Sequence, residues 1–446
     1  MTRTTNHLAG TRLKYHEVVT AEGDRAWDGF YDSLTGEDCS AAFAGDGKMR
    51  CVPRSRFETQ VFYTDAACSD PVYLKDATCD HKYLELFDRS VACMPQVQLF
   101  APGAAYTGPT FQAGPSGTCV PNTTPNLTFA RKGALVDPST LAEVEPAQLP
   151  EPGRIARVGY KSADGAFMVS GYHDTQLDID CNFGLLRDGK QHCYPRFNNA
   201  PEFSDAMCQT TLLGVSTACG VKPDLYFSRS SQDGCNAGTI AVKADQPFTG
   251  QEYERDPADG SCAAVPSGAS PDLTLYTSVD LPDSAVPEIA YTTVDSDPGR
   301  LKPMYRTATD GSCSFYDFWD SELKIACTFL GDPESGYSCY PDVGSYNLDK
   351  GFSDAGCSVA VDYLSEKTCF ASQVPKYIVT WTYGDCGART QSARQVGAGV
   401  VGAAAALFVG APGNCSPIVV DPDSTYFTVG PALPPSTFVS GQRAPL

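Results

Sequence analysis

Residues 32–51 read DSLTGEDCSAAFAGDGKMRC, residues 174–193 read DTQLDIDCNFGLLRDGKQHC, and residues 320–339 read DSELKIACTFLGDPESGYSC. In each stretch an aspartate stands seven residues before a cysteine, which stands twelve before the next. Outward from these stretches the cysteine intervals are 12, 17, 11, 14, 26 (Cys39, Cys51, Cys68, Cys79, Cys93, Cys119) and 12, 15, 11, 16, 27 (Cys181, Cys193, Cys208, Cys219, Cys235, Cys262). The last series is 12, 18, 12, 17, 29 (Cys327, Cys339, Cys357, Cys369, Cys386, Cys415). The chain is a threefold tandem repeat, with units of roughly 145 residues expected over 10–145, 153–290 and 299–440.

Within the first unit, TRLKYHEVV from Thr11 and WDGFYDS at Trp27–Ser33 alternate as strands do. Gly45-Asp46-Gly47 between Phe43 and Lys48 is a hairpin signal that sets Cys39 opposite Cys51. FYTDAAC, PVYL, KYLELF, YTGPTF and SGTC supply a second group of about four strands, LTFARKGALVDPSTL (127–141) closes the unit, and the proline-rich EPAQLPEPG reads as a linker. With 40 Gly, 33 Pro and 19% charged residues, short strands and tight turns are favoured over helices. The expected fold is all-β, a six-bladed propeller with two four-stranded blades per repeat, because radial stacking buries the blade faces. The alternative is three separate small β domains.

Nineteen cysteines with no CxxC pair imply disulfides and an oxidising compartment. From spacing, the expected connectivity in each unit is first with second, third with fourth and fifth with sixth. Cys313 has no counterpart in the other units and is the expected free thiol or intermolecular link. Met1–Gly10 carries no apolar core of a signal peptide, so an export signal is expected to have been removed or replaced.

A net charge of -20 excludes a phosphate-backbone partner. The longest apolar run, Val396–Val409, is too short to span a bilayer as a helix, so a strand and turn are expected there and no membrane span. His7, His16, His81, His173 and His192 form no HExxH motif and recur in no common repeat position, so no metal or cofactor is expected. No P-loop, GxSxG or GxGxxG occurs. Asp32, Asp174 and Asp320 share one repeat position, and Asp65, Asp205 and Asp354 another. A threefold aspartate suits a turn cap that accepts backbone N–H groups better than a catalytic pair or a set of cation sites. Trp27 (with Tyr31), Tyr83, Tyr226, Trp319, Tyr377 and Trp381 are candidate contacts for a sugar or protein, since they differ between copies or flank turns. The sequons at Asn122, Asn126 and Asn414 carry weight only in a glycosylating host.

The RLK openings, GFYDS before the first cysteine, DGKxRCxP, [FY]xDAxC and the LPPSTFV ending resemble a family of uncharacterised cysteine-rich repeat proteins of myxobacteria, often predicted lipoproteins. The resemblance extends over nearly the whole chain and implies an exported or cell-surface setting, with no catalytic residue. Pro333 in place of the DG turn, and Cys313, depart from the pattern. The expected function is a disulfide-stapled, secreted or cell-surface binding or adhesion module for glycan or protein, non-enzymatic. The alternatives are a structural subunit that self-associates and a secreted hydrolase with a carboxylate site.

Overall fold

A computed structural model describes the chain outside residues 1–5, 59, 76–81, 89–94, 115–117, 125–126, 150, 197–201, 217–224, 231–238, 257–259, 267–272, 295–298, 334, 344–347, 384–388, 402–406 and 445–446. It is all-β. Each repeat opens with a four-stranded antiparallel meander. In the first these strands are Leu13–Thr20, Arg25–Asp32, Glu37–Phe43 and Met49–Pro53. In the second they are Ile155–Ser162, Phe167–Asp174, Ile179–Leu185 and Gln191–Pro195. The third has Leu301–Ala308, Cys313–Asp320, Ile325–Asp332 and Gly336–Pro341. The expected hairpin turns are present, with Gly47 and Gly189 both at φ +76°, a conformation that side chains with a Cβ disfavour.

A fifth strand links each meander to the next. Val144–Leu149 pairs with the first strand of the second repeat, and Glu288–Thr293 with that of the third. Ser440–Arg443, at the end of the chain, pairs with the first strand of the first repeat. The first five residues of the proline-rich segment read as a linker, 145–149, are therefore part of this strand in the first repeat. Edge strands tolerate proline because half of their N–H groups face no partner, which is why VEPAQL is strand despite Pro146. Each fifth strand also touches its own fourth. His192 pairs with Glu288 and Ser338 with Ser440, while in the first repeat this ladder shrinks to an isolated bridge between Arg50 and Glu143. The hydrogen bonds from Cys51, Cys193 and Cys339 N–H to Ala142, Pro287 and Val439 C=O are 2.9 Å in all three.

The meanders and fifth strands together make one fifteen-stranded sheet. Between the fourth and fifth strands of each repeat a further sheet is inserted. In the first repeat its order is Tyr83–Asp88, Gln96–Tyr106, Phe129–Leu135, Pro71–Leu74, Val61–Tyr63, Phe111–Ala113, Cys119–Pro121. The same order recurs from Tyr226–Ser230 to Cys262–Ala264 and from Tyr377–Tyr383 to Asn414–Pro417. The first copy has an eighth strand, Arg56–Glu58, parallel to Tyr83–Asp88. Among the described residues four sheets, of fifteen, eight, seven and seven strands, thus stand where six four-stranded blades were expected. The meanders pair edge to edge through the lent fifth strand, so they do not stack face to face as blades.

Burial explains why the repeats cohere. Leu13, Phe30, Cys39 and Cys51 pack on Val144 of their own fifth strand and on Ala166 and Met168 of the next repeat. Ile155, Cys181, Cys193 and Ile289 pack with Ala308 of the third repeat, and Leu301, Phe318, Cys327 and Cys339 on Val18 and Ala26 of the first. Each of these three cores spans a junction between repeats and has a disulfide in it. Removing this apolar area from water requires the neighbouring repeat. Carboxylates reinforce the junctions: Asp164 accepts the N–H of Arg12 (2.6 Å), Asp310 that of Arg154 (2.5 Å) and Glu22 that of Arg300 (2.8 Å).

The bridges Cys39–Cys51, Cys181–Cys193 and Cys327–Cys339 form as expected. They run diagonally across the hairpin, since Cys51 is paired with Ala41 and Cys39 with Pro53. The other connectivity is corrected. The third cysteine joins the sixth, as Cys68–Cys119, Cys208–Cys262 and Cys357–Cys415. The inserted sheet is responsible: its strand order brings the DAxC loop beside the last strand, and two of the four strands that intervene in sequence lie at the far side. Cys369 is disulfide-bonded. The expectations for Cys79, Cys93, Cys219, Cys235 and Cys386 lie outside the described residues. Cys313 is an exposed free thiol, and partial desolvation of its sulfur together with the Glu151 charge pushes its pKa up.

Val396–Val401 lies in the strand Arg389–Val401, and Phe408–Ala411 is again strand, with 402–406 outside the described residues. Among the described residues no helix is long and apolar enough to cross a membrane. Six disulfides among the described residues fit an oxidising compartment.

Candidate functional site

Both threefold aspartate positions are turn caps. Asp32 accepts from Leu34 N–H, Asp174 from Gln176 and Leu177, and Asp320 from Glu322 and Leu323. Each is also clamped by the arginine twenty residues before it. Arg154 Nε and Nη2 lie 2.6 Å from the two oxygens of Asp174, and Arg12 with Asp32 and Arg300 with Asp320 repeat the fork. The same Nη2 donates to the carbonyl of Thr140, Ala285 or Thr437, which fixes the closing 3-10 turn to the meander. Asp65, Asp205 and Asp354 accept two or more N–H groups of the DAxC loop. The Thr210 N–H holds Asp205 below the usual carboxylate range, and the Val359 N–H does the same for Asp354. The following cysteines Cys68, Cys208 and Cys357 have φ of 52°, 52° and 51°.

The candidate aromatics are not brought together. Tyr83, Tyr226 and Tyr377 open the same strand of three different inserted sheets, so they share a repeat position instead of differing between copies. The equivalence is fixed by Leu99, Ala241 and Ala393, whose carbonyls accept from Val136, Leu281 and Leu433. Tyr377 is buried, Tyr83 packs against the Val52–Val97 cluster, and Lys243 lies 5.6 Å over the Tyr226 ring. Trp381 packs with Tyr340 and Phe438, Trp319 is half-buried on its meander, and Tyr31 lies edge-on to His16.

The histidines are equally scattered. His192 is buried between Asp188 (3.1 Å) and the Val286 carbonyl, in the place where Arg50 binds Asp46 and the Leu141 carbonyl. His16 faces Asp38, and His173 lies between Asp178 and Asp180. His81 lies outside the described residues. Among the described residues no cluster of three His, Cys, Asp or Glu could hold a metal.

Two regions have ligand-like chemistry. The first is an open groove of about 770 Å³ where the second and third repeats meet, lined by Arg154, Thr175, Gln176, Lys190, Glu288 and Asp310. Its cations carry their own partners, Lys190 with Glu288 at 2.7 Å and Arg154 with Asp174. What remains for a ligand is neutral hydrogen bonding through threonine, glutamine and serine, suited to hydroxyls or amides. Lys48 and Glu143 form the same pair, at 2.9 Å, at the first junction.

The second region is axial. Trp27, Val169 and Phe315 occupy the same position on the second strand of the three meanders, and all touch residues 6–8. The His7 ring stacks on Trp27 at 4.2 Å and its Nδ1 accepts the Val169 N–H at 3.1 Å. Asn6 pairs with both the N–H (3.1 Å) and the C=O (2.8 Å) of Phe315. Nothing in the sequence of MTRTTNHLAG signals this role. Beside it, Arg306 lies 4.4 Å from the Phe183 ring and 4.2 Å from that of Tyr316, next to a cavity of only about 10 Å³, room for one water at most. Tyr316 donates to Asp342, and burial together with the Asp342 charge pushes Asp317 up to about 8.

In the second inserted sheet, burial and the charges of Glu252 and Glu254 push Glu202 up to about 7 from 4.5. The folded state therefore binds more protons than the unfolded chain between these values, and stability falls as pH rises through the window. Glu202→Gln is expected to raise the denaturation midpoint at pH 8 and to leave it unchanged below about pH 4.5, where both states are protonated. An equal shift at both pH values would refute the assignment.

No protein-family model, curated protein or solved structure matches the chain.

Proposed function

We propose that the protein is a secreted or cell-surface binding module that engages a repetitive glycan or protein surface through its three inserted sheets. The observation that supports this reading is the threefold display: three sheets of one strand order, each hung on the meanders by the same arginine fork. The polar side chains at the repeated positions are consumed by turns and junctions, which leaves surfaces as the variable part. Three weak contacts on one rigid frame gain avidity without any tight single site.

The test is binding of the intact chain to cell-wall polysaccharides and surface proteins immobilised at high and low density. Retention about 100-fold stronger on the dense surface, absent for soluble monovalent fragments, is expected. No retention on any of them, from a chain that stays monomeric at all concentrations, would end the reading.

A further inference from the structure

We propose that the axis of the three meanders is a peptide-recognition site whose resident ligand, the segment Asn6–Leu8, is exchangeable. Recognition there follows the logic of strand addition, in which main-chain pairing gives affinity and one or two side chains give specificity. Leu8 and Phe167 exchange both backbone hydrogen bonds, at 3.0 and 2.9 Å. The Asn6 amide imitates a strand by satisfying the N–H and the C=O of Phe315, and it also donates to the Tyr172 hydroxyl at 3.0 Å. Arg157 of the second repeat donates to the Asn6 carbonyl at 2.7 Å. Three consecutive residues thus contact all three repeats.

The contact area is short, and it is held by few groups. That is the reason to expect exchange, since the lent fifth strands and the junction cores hold the repeats together without it. The site also has a chemical condition for occupancy. His7 Nδ1 must be an acceptor, because Val169 N–H points at it. A proton on that nitrogen sets donor against donor.

The groups facing His7 include Trp27 and Phe30 from the first meander and Val169 with Arg157 from the second. Arg157 is the cation, and it is itself paired with Glu151. On the third meander the segment meets Phe315 through Asn6. Burial and the Arg157 charge bring His7 down to about 4. Acid therefore favours the released segment, whose histidine titrates near 6.5.

The experiment uses a chain lacking residues 2–9, verified as folded by circular dichroism and disulfide mapping, and the synthetic peptide MTRTTNHLAG. One-to-one binding is expected at pH 7.5, about tenfold or more weaker for peptides carrying Asn6→Ala or His7→Ala. At pH 4 the affinity is expected to fall by about 150-fold, half of the limiting ratio set by a pKa of 6.5 free and about 4 bound. The full-length chain should take up the peptide only as fast as its own segment leaves. A folded truncated chain that ignores the peptide, or binds all three peptides alike, overturns the proposal. Should the truncated chain not fold, amide exchange in the full-length Asn6→Ala/His7→Ala chain decides. Faster exchange confined to Val169 and Phe315 supports the site, and unchanged protection refutes it.

Discussion

Arg154→Ala is expected to cost about 3–5 kcal/mol of folding stability, the range seen when one partner of a buried ion pair is removed. Asp174 is 0% exposed and accepts both arms of the Arg154 fork, so the truncated chain leaves a carboxylate with no cation in a site water does not reach. Lysine at position 154 should recover little, because an ammonium cannot reproduce two parallel N–H donors or the third bond to Ala285. Arg300→Ala should match it, since the Arg300 side chain is 19% exposed against 17% for Arg154. Arg12, at 30%, should cost less. Denaturant titration at neutral pH checks the series. A loss below about 1 kcal/mol for Arg154→Ala would place the pair among ordinary surface salt bridges.

Replacing Cys208 and Cys262 by alanine is expected to cost about 4 kcal/mol, the loop-closure value for a span of 54 residues, against about 3 kcal/mol for the span of 12 between Cys181 and Cys193. Had the third cysteine joined the fourth, its span of 11 would have been one residue shorter than the hairpin's and the two losses would be alike. Non-reducing peptide mapping supplies the direct check: Cys208 found on the Cys262 peptide agrees with the fold, and Cys208 joined to Cys219 contradicts it.

That difference marks where the sequence was legible. Intervals of 12 around a DG turn specify a hairpin bridge, because both cysteines lie on adjacent strands whatever the rest of the chain does. Cys68 and Cys119 become neighbours only once seven strands have taken their places, and the spacing of 51 records nothing of that order. The aspartate caps were readable for the same local reason, since Asp65 and its acceptor bonds lie within five residues.

The arginine forks had a signal that residue-by-residue reading passes over: Arg12, Arg154 and Arg300 each stand twenty residues before the capping aspartate. The fifth strands were hidden by composition, Pro146 and its neighbours being read as a linker although they pair along six residues with the next repeat. The axial segment was unreadable in principle, because the hydrogen bonds described for Asn6 and His7 are with residues 151–309 positions away. The candidate aromatics failed on a related point. Tyr83, Tyr226 and Tyr377 look unlike one another in their local sequence and coincide only when strand register is known.

The lent fifth strand has a bearing on how such a chain can be cut or lengthened. A fragment of two repeats would present one hungry border at each extremity, each complementary to the other, and copies would join head to tail into filaments. Three is the number at which donor and recipient meet within one polypeptide, so adding a fourth unit would not extend the molecule smoothly but would force every border to a new angle. New ends placed in the loop after Pro195, with the present ones spliced, should by contrast leave every donor its recipient.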